Sequence, residues 1–361
     1  MRARQLTRAV IALAAAAACA SACNPSVPGS VAGEPCNANG VCASGLICDT
    51  NNLCQDENGP APTGSWLSMR LPDNPTLHGV WGHSASDVVA VGSSGKIFTY
   101  NGNATNDFAF AAQGVTTKTL YGVWGTGNQY WVVGSSVVLH FDGSTWSEST
   151  VWDTGKAQEL TGYTLYAIHG DASSSTIYAV GQRSSGSDGL VVKWSNGSRR
   201  FESVDAANLS FAGRGVWVLG AQAWIVGSAQ HVKHLGSSWE EQNLPENAQL
   251  KSVWSNGNRL AAVGPASKVF QFGGSSGWSV QDKVRDSYTA NGLWGDDNQL
   301  IIVGAGAGYQ EEFSSIETCT SVCRGNIIDE KARGATLNAI WGTGNTLFAV
   351  GESGTIVRQA Q

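Results

Sequence analysis

The sequence predicts an all-β protein: a seven-bladed β-propeller closed by an N-terminal strand and preceded by a small disulfide-rich module. Three observations point there. Charged residues make up only 14% of the 361, while Gly (45) and Trp (14) are abundant, a composition of tight turns and aromatic packing and not of a disordered chain. Two apolar landmarks recur in step through residues 64–361. A strand-like segment beside the N-terminal region matches a piece that the last repeat lacks.

The fullest copy of the repeat is Leu120-Tyr121-Gly122-Val123-Trp124-Gly125, then Tyr130-Trp131-Val132-Val133-Gly134, then Val137 to Gly143, then Thr145-Trp146. Its first landmark, V-W-G or a variant, recurs at Trp81, Trp124, His169, Trp217, Trp254, Trp294 and Trp341. The second, an apolar residue then Gly, recurs at Gly92, Gly134, Gly181, Gly227, Gly264, Gly304 and Gly351. Both series have seven members spaced 37 to 48 residues apart, the length of a four-stranded propeller blade. Each apolar stretch is short, rich in Val, Ile, Trp and Tyr, and bounded by turn signals, as strands are. Gly127-Asn128, Gly257-Asn258, Asp297-Asn298 and Gly344-Asn345 supply hairpin residues that tolerate positive φ. The Gly that ends each second strand is expected to let neighbouring blades approach.

The seventh unit stops at Ile356-Val357-Arg358 without a fourth strand, and Gly64-Ser65-Trp66-Leu67-Ser68-Met69 reads as that missing strand, Trp66 matching Trp146, Trp239 and Trp278. Closure of this kind covers edges that would otherwise invite aggregation. Blade six departs most: Glu311 to Gly325 holds Cys319 and Cys323 and has neither an Asp-Gly turn nor a closing Trp.

Ahead of the repeats, Arg2, Arg4 and Arg8 precede the apolar run Ala9 to Ala18, which is too short to span a bilayer, and residues 1–22 read as a signal peptide. Ala20-Ser21-Ala22-Cys23 fits an Ala-x-Ala cleavage site. It also resembles the lipobox of bacterial lipoproteins, with Ala20 where that motif prefers Leu. Cleavage before Cys23 leaves seven cysteines, and a lipid on Cys23 leaves six that can pair; Cys19 is the other candidate. Residues 23–35 form a tether, 36–54 a cysteine-rich module, and 55–63 a linker. Cys36, Cys42, Cys48 and Cys54 are evenly spaced with five residues between neighbours, which in an exported chain reads as a disulfide framework of open connectivity rather than a zinc site. Around Gly45-Leu46-Ile47-Cys48 the module resembles the cysteine-rich modules of secreted proteins, the Dickkopf N-terminal type among them. The reading places the chain at the cell envelope as an outer-membrane lipoprotein, on its periplasmic or surface side and touching the membrane only through its lipid; without the lipid the chain is simply secreted.

The propeller repeat resembles the V-W-G/A-V-G repeats of secreted bacterial propellers and, more distantly, photosystem II assembly-factor and BNR-type propellers. The resemblance implies a fold and hardly a function. Without the leader the chain has 19 basic against 28 acidic residues, a net charge of −9, so nucleic acid is not an expected partner. No phosphate loop, HExxH or nucleophile elbow appears, and no catalytic, metal or cofactor residues are assigned. The turn Asp142-Gly143-Ser144-Thr145-Trp146 resembles the Asp-box of sialidases, but Asp and Gly are adjacent here, and it reads as a β-turn. Candidate ligand-binding residues are His169, which replaces Trp, Asp171 beside it, and Trp131 and Trp224, aromatics outside the main landmarks whose faces could stack on sugars. The expectation is a non-enzymatic binding or scaffold protein that engages an envelope protein or glycan through propeller loops. The alternatives are a hydrolase or lyase of envelope polysaccharide, using Asp171, Asp296 and Asp297, and an assembly factor for an envelope complex.

Overall fold

The computed structural model describes residues 46–48, 54–56, 66–102, 111–185, 188–265, 268–283, 288–306, 316–319, 323–325, 335–344 and 346–359. The chain divides into two units, Met1–Ser65 and Trp66–Gln361. In the first, strands Leu46–Cys48 and Cys54–Asp56 pair antiparallel with Cys48 opposite Cys54. The cleavage site, the tether, Cys19, Cys23, Cys36 and Cys42 lie outside the described residues.

The second unit is a propeller of seven blades, each an antiparallel sheet with its first strand innermost. We number the blades in chain order. Their inner strands are Leu77–Ser84, Leu120–Thr126, Tyr163–Asp171, Gly213–Leu219, Ser252–Ser255, Tyr288–Gly295 and Leu337–Thr343. The second strands are buried on both faces, Val88 to Val91 being at most 1% exposed, because a strand sandwiched between two neighbouring blades has no solvent face. Blade 7 is completed by Trp66–Arg70, which pairs antiparallel with Thr355–Gln359 from Trp66 opposite Gln359 to Arg70 opposite Thr355. The expected closure by the N-terminal strand is therefore present.

Three blades depart from four regular strands. Blade 3 gains Val151–Asp153, added parallel to Arg200–Ser203, and Gln158–Glu159 beyond it. In blade 4 the second and third strands run together as Gln222–Leu235, bonded to Gly213–Leu219 through one half and to Trp239–Gln249 through the other. His231 and His234 on this strand are only partly exposed and Lys233 is buried, and Glu240 and Glu241 of the facing strand pair with them. In blade 6, Ile316–Cys319 and Cys323–Gly325 are the third and fourth strands, with Cys319 opposite Cys323.

Seven apolar cores hold the ring, one between each pair of neighbouring blades. Two glycine series make the fit possible. A Cβ on Gly82 would lie 2.7 Å from the indole of Trp341, and one on Gly170 would lie 2.7 Å from that of Trp124. The V-W-G pattern is thus an interlock, in which the Trp of one blade lies over the Gly after the landmark in the next. The Gly that ends each second strand has a different role from the one expected. A Cβ on Gly92 would fall on the carbonyl oxygen of Thr76, just before the inner strand of the same blade, and one on Gly181 on that of Thr164, at the start of its own inner strand. That glycine tightens its own blade, and close approach between blades falls instead to Gly79, Gly122, Gly215 and Gly292 on the inner strands.

Candidate functional site

The landmark side chains meet on the axis. Trp81 contacts Trp124, His169 and Trp341, and Trp217 contacts His169, Trp254 and Trp294, with ring centroids 3.8 to 6.2 Å apart. Contacts between blades that are not neighbours, such as Trp81 with His169 and Trp217 with Trp294, mean that the rings plug the channel. His169 is 7% exposed and stacks on Trp217. Its Nδ1 accepts the Val218 N–H at 3.0 Å, which leaves the proton on Nε2, a buried atom with no partner among the described residues. Burial pulls its pKa down to about 3, so the ring is neutral.

Above this plug lies a funnel-shaped cavity of 540 Å³, within the range of roughly 300–1,000 Å³ typical of small-ligand sites. Its rim is built by a single device. Three residues before each landmark stand His78, Tyr121, Tyr166, Arg214, Lys251, Asn291 and Asn338, and all seven line the cavity. In six blades this residue is skipped in the pairing register, between Leu77 and Gly79, Leu120 and Gly122, Leu165 and Ala167, Gly213 and Gly215, Ala290 and Gly292, and Leu337 and Ala339. It is a β-bulge, which takes a side chain out of the alternation of the strand and re-aims it. In blade 5 Lys251 immediately precedes the inner strand, held by its N–H to the Val263 carbonyl.

The ring is ordered by chemistry. His78, Tyr121 and Tyr166 form an aromatic arc with centroids 5.1 and 5.3 Å apart. The guanidinium of Arg214 lies over Tyr166 at 4.0 Å. Lys251 Nζ donates to Asn291 Oδ1 at 2.6 Å, Asn291 Nδ2 donates to the Leu337 carbonyl, and Asn338 Nδ2 donates to the Leu77 carbonyl. Burial and then the charge of Arg214 lower the Lys251 pKa, while burial, opposed by the nearby Glu352 carboxylate, lowers that of His78. Among the described lining residues there is no Asp or Glu. Among the described residues, too, the Arg214 guanidinium makes no hydrogen bond or ion pair, and no three His, Cys, Asp or Glu side chains gather to hold a metal.

Of the residues singled out in the sequence, His169 lies at the floor of this cavity, whereas Asp171, Trp131 and Trp224 do not line it. Trp131 and Trp224 are 4% and 6% exposed, Trp131 stacked on His140 of the next strand and Trp224 on His234 further along its own long strand. Asp171 accepts bonds from Ser173 Oγ and from the N–H groups of Ser174 and Gly220, which hold its pKa down to about 2. Asp296 caps its hairpin by accepting from the N–H of Asn298 and Gln299, and Asp297 accepts from Asn256 and Asn258. Asp142 accepts from Ser144 and Thr145 in its β-turn. The rim column was missed because its residue types vary; position relative to the landmark, not identity, is the signal that finds it.

No family model matches the sequence, and no curated protein matches it. Solved structures do resemble the fold. YCF48 bound to D1 peptide superposes with a TM-score of 0.63 at 15% identity, covering 84% of this chain and 99% of that one. YCF48 from Cyanidioschyzon merolae gives 0.62 at 13% identity over 82% and 99%. Virginiamycin B lyase from Staphylococcus aureus, in complex with quinupristin, gives 0.62 at 11% identity over 82% and 99%. At such identities the likeness speaks for the propeller fold alone.

Proposed function

We propose that the chain is a non-enzymatic binding or scaffold protein of the cell envelope that takes its partner at the funnel mouth. The observation that carries this reading is the ring of seven polar side chains, six of them on bulges, two of the seven cations with no carboxylate beside them in the lining, in a chain of net charge −6. Such a rim offers recognition, whereas polysaccharide hydrolysis calls for a pair of carboxylates flanking the bond, and Asp171, Asp296 and Asp297 are engaged in turns. That a similar propeller, YCF48, occurs bound to a peptide supports a partner-binding role. Envelope extract passed over the immobilised chain and over an Arg214→Glu/Lys251→Glu variant tests it. The expected result is a partner retained by the first and at least tenfold depleted on the second; equal retention on both overturns the funnel as the binding face.

The same reading has the chain exported and lipidated on Cys23, with Cys36, Cys42, Cys48, Cys54, Cys319 and Cys323 in disulfides that include Cys48–Cys54 and Cys319–Cys323. The backbone registers that set Cys48 opposite Cys54 and Cys319 opposite Cys323 support these two. Cys23→Ala should move the protein from the membrane to the soluble fraction. Non-reducing peptide mapping should recover those two pairs, and either half-cystine found in another pair refutes the assignment.

A further inference from the structure

We infer that the funnel binds a carboxylated saccharide, its carboxylate taken between Arg214 and Lys251 and its sugar ring against the arc of His78, Tyr121 and Tyr166. The inference rests on the reading above that the funnel mouth is the binding face, and it names the ligand class.

Charge is the first argument. Two cations stand side by side in the lining with no carboxylate among the described lining residues. Among the described residues, the Lys251 ammonium is met only by an amide oxygen. Holding like charges together costs free energy that an anion placed between them returns. Arg214 is oriented by its stack on Tyr166, which leaves its in-plane N–H fork available for the two oxygens of a carboxylate. The neighbouring arc supplies the second argument. Three half-buried rings in succession offer apolar faces of the kind on which the C–H side of a pyranose packs. The third is the supply of partners for hydroxyl groups: Ser228 and Gln249 also line the cavity, and neither side chain has a hydrogen-bond partner among the described residues. An acidic peptide satisfies the charge but gains most from pairing along a sheet edge, and here seven short inner edges converge on an aromatic plug.

Calorimetric titration of the full chain with tetragalacturonate, its methyl ester and an acetylated, amidated tetraglutamate peptide tests this. Tetragalacturonate is expected to bind with an affinity that falls as salt rises. The methyl ester should bind at least tenfold more weakly, and Arg214→Gln or Lys251→Gln should each cost tetragalacturonate at least tenfold. Both residues are exposed, and unchanged thermal melts will show that the variants fold. Tyr121→Leu should weaken acid and ester alike. Failure of tetragalacturonate to bind, or equal binding of acid and ester, overturns the saccharide inference. If the peptide alone binds and Arg214→Gln abolishes that binding, the ligand class is wrong but the funnel stands. If neither Gln substitution changes the binding of any probe, the funnel reading falls with it.

Discussion

In five blades a Gly follows the landmark ring, but in blade 4 the pattern is Trp217-Val218. The residue that would lean on that position from blade 3 is His169, the one landmark that is not Trp. The two departures explain each other. A Cβ at the equivalent place in blade 3 would strike the indole of Trp124, so a branched side chain in blade 4 calls for a smaller ring, and His169 fits by accepting the Val218 N–H. His169→Trp should therefore destabilise by about 1–3 kcal/mol through overpacking, and adding Val218→Gly should restore much of the loss, a coupling readable by urea denaturation of the double-mutant cycle.

The same residue makes stability depend on pH. Between pH 6.5 and about 3 the unfolded chain takes up a proton on this His that the folded chain refuses, so stability falls as pH drops through that window. Asp142 and Asp171, held down to about 2, add their own loss below the usual carboxylate range. His169→Phe should unfold more easily at pH 7, since Val218 loses its acceptor at a cost of about 1–3 kcal/mol. Its unfolding midpoint should nonetheless fall less steeply between pH 7 and 4. A slope equal to that of the parent would show that His169 is not the titrating group.

At the level of the strand, the repeat made both glycine columns visible in the sequence and hid what each one does. Identity at a fixed period marks a steric requirement, but only the fold tells which backbone stands in the way. Gly134→Ala puts a methyl group on the Thr119 carbonyl of its own blade and should lower the melting temperature by several degrees. Gly127→Ala, at a hairpin tip with open space around it but with φ +65, should cost only about 1 kcal/mol. Thermal melts of the two variants, compared directly, check the contrast. The bulge column was harder to read. A bulge leaves no composition mark where the skipped residue is His in one blade, Tyr in two, Arg in one and Asn in two. The two added strands of blade 3 were likewise unreadable, because the short segments Val151–Asp153 and Gln158–Glu159 carry no repeat.

For the whole molecule, the blade count and the closure could be read because an orphan Trp66 strand stood at one end and a missing strand at the other. Function could not, since a repeat explains its conspicuous residues as packing and leaves the binding residues among the inconspicuous ones. Deleting residues 64–69 should expose the edge Thr355–Gln359, lower the melting temperature and drive association between chains. A monomer with an unaltered melt would discard the closure.

The circle of landmark rings, with indoles seated on Gly82, Gly170, Gly295 and Gly342 and His169 set against Val218, returns to its starting point when Trp341 reaches Gly82. An open array of repeats can fray from its ends, each unit answering only to those beside it. A circle has no last member to peel away, so loosening any one blade strips support from two others at once. Unfolding should accordingly be a single event shared by all blades, and native-state hydrogen exchange should find the second strands of every blade opening with one common free energy. A gradient of protection running from one blade to the next would mean that the circle behaves as a line.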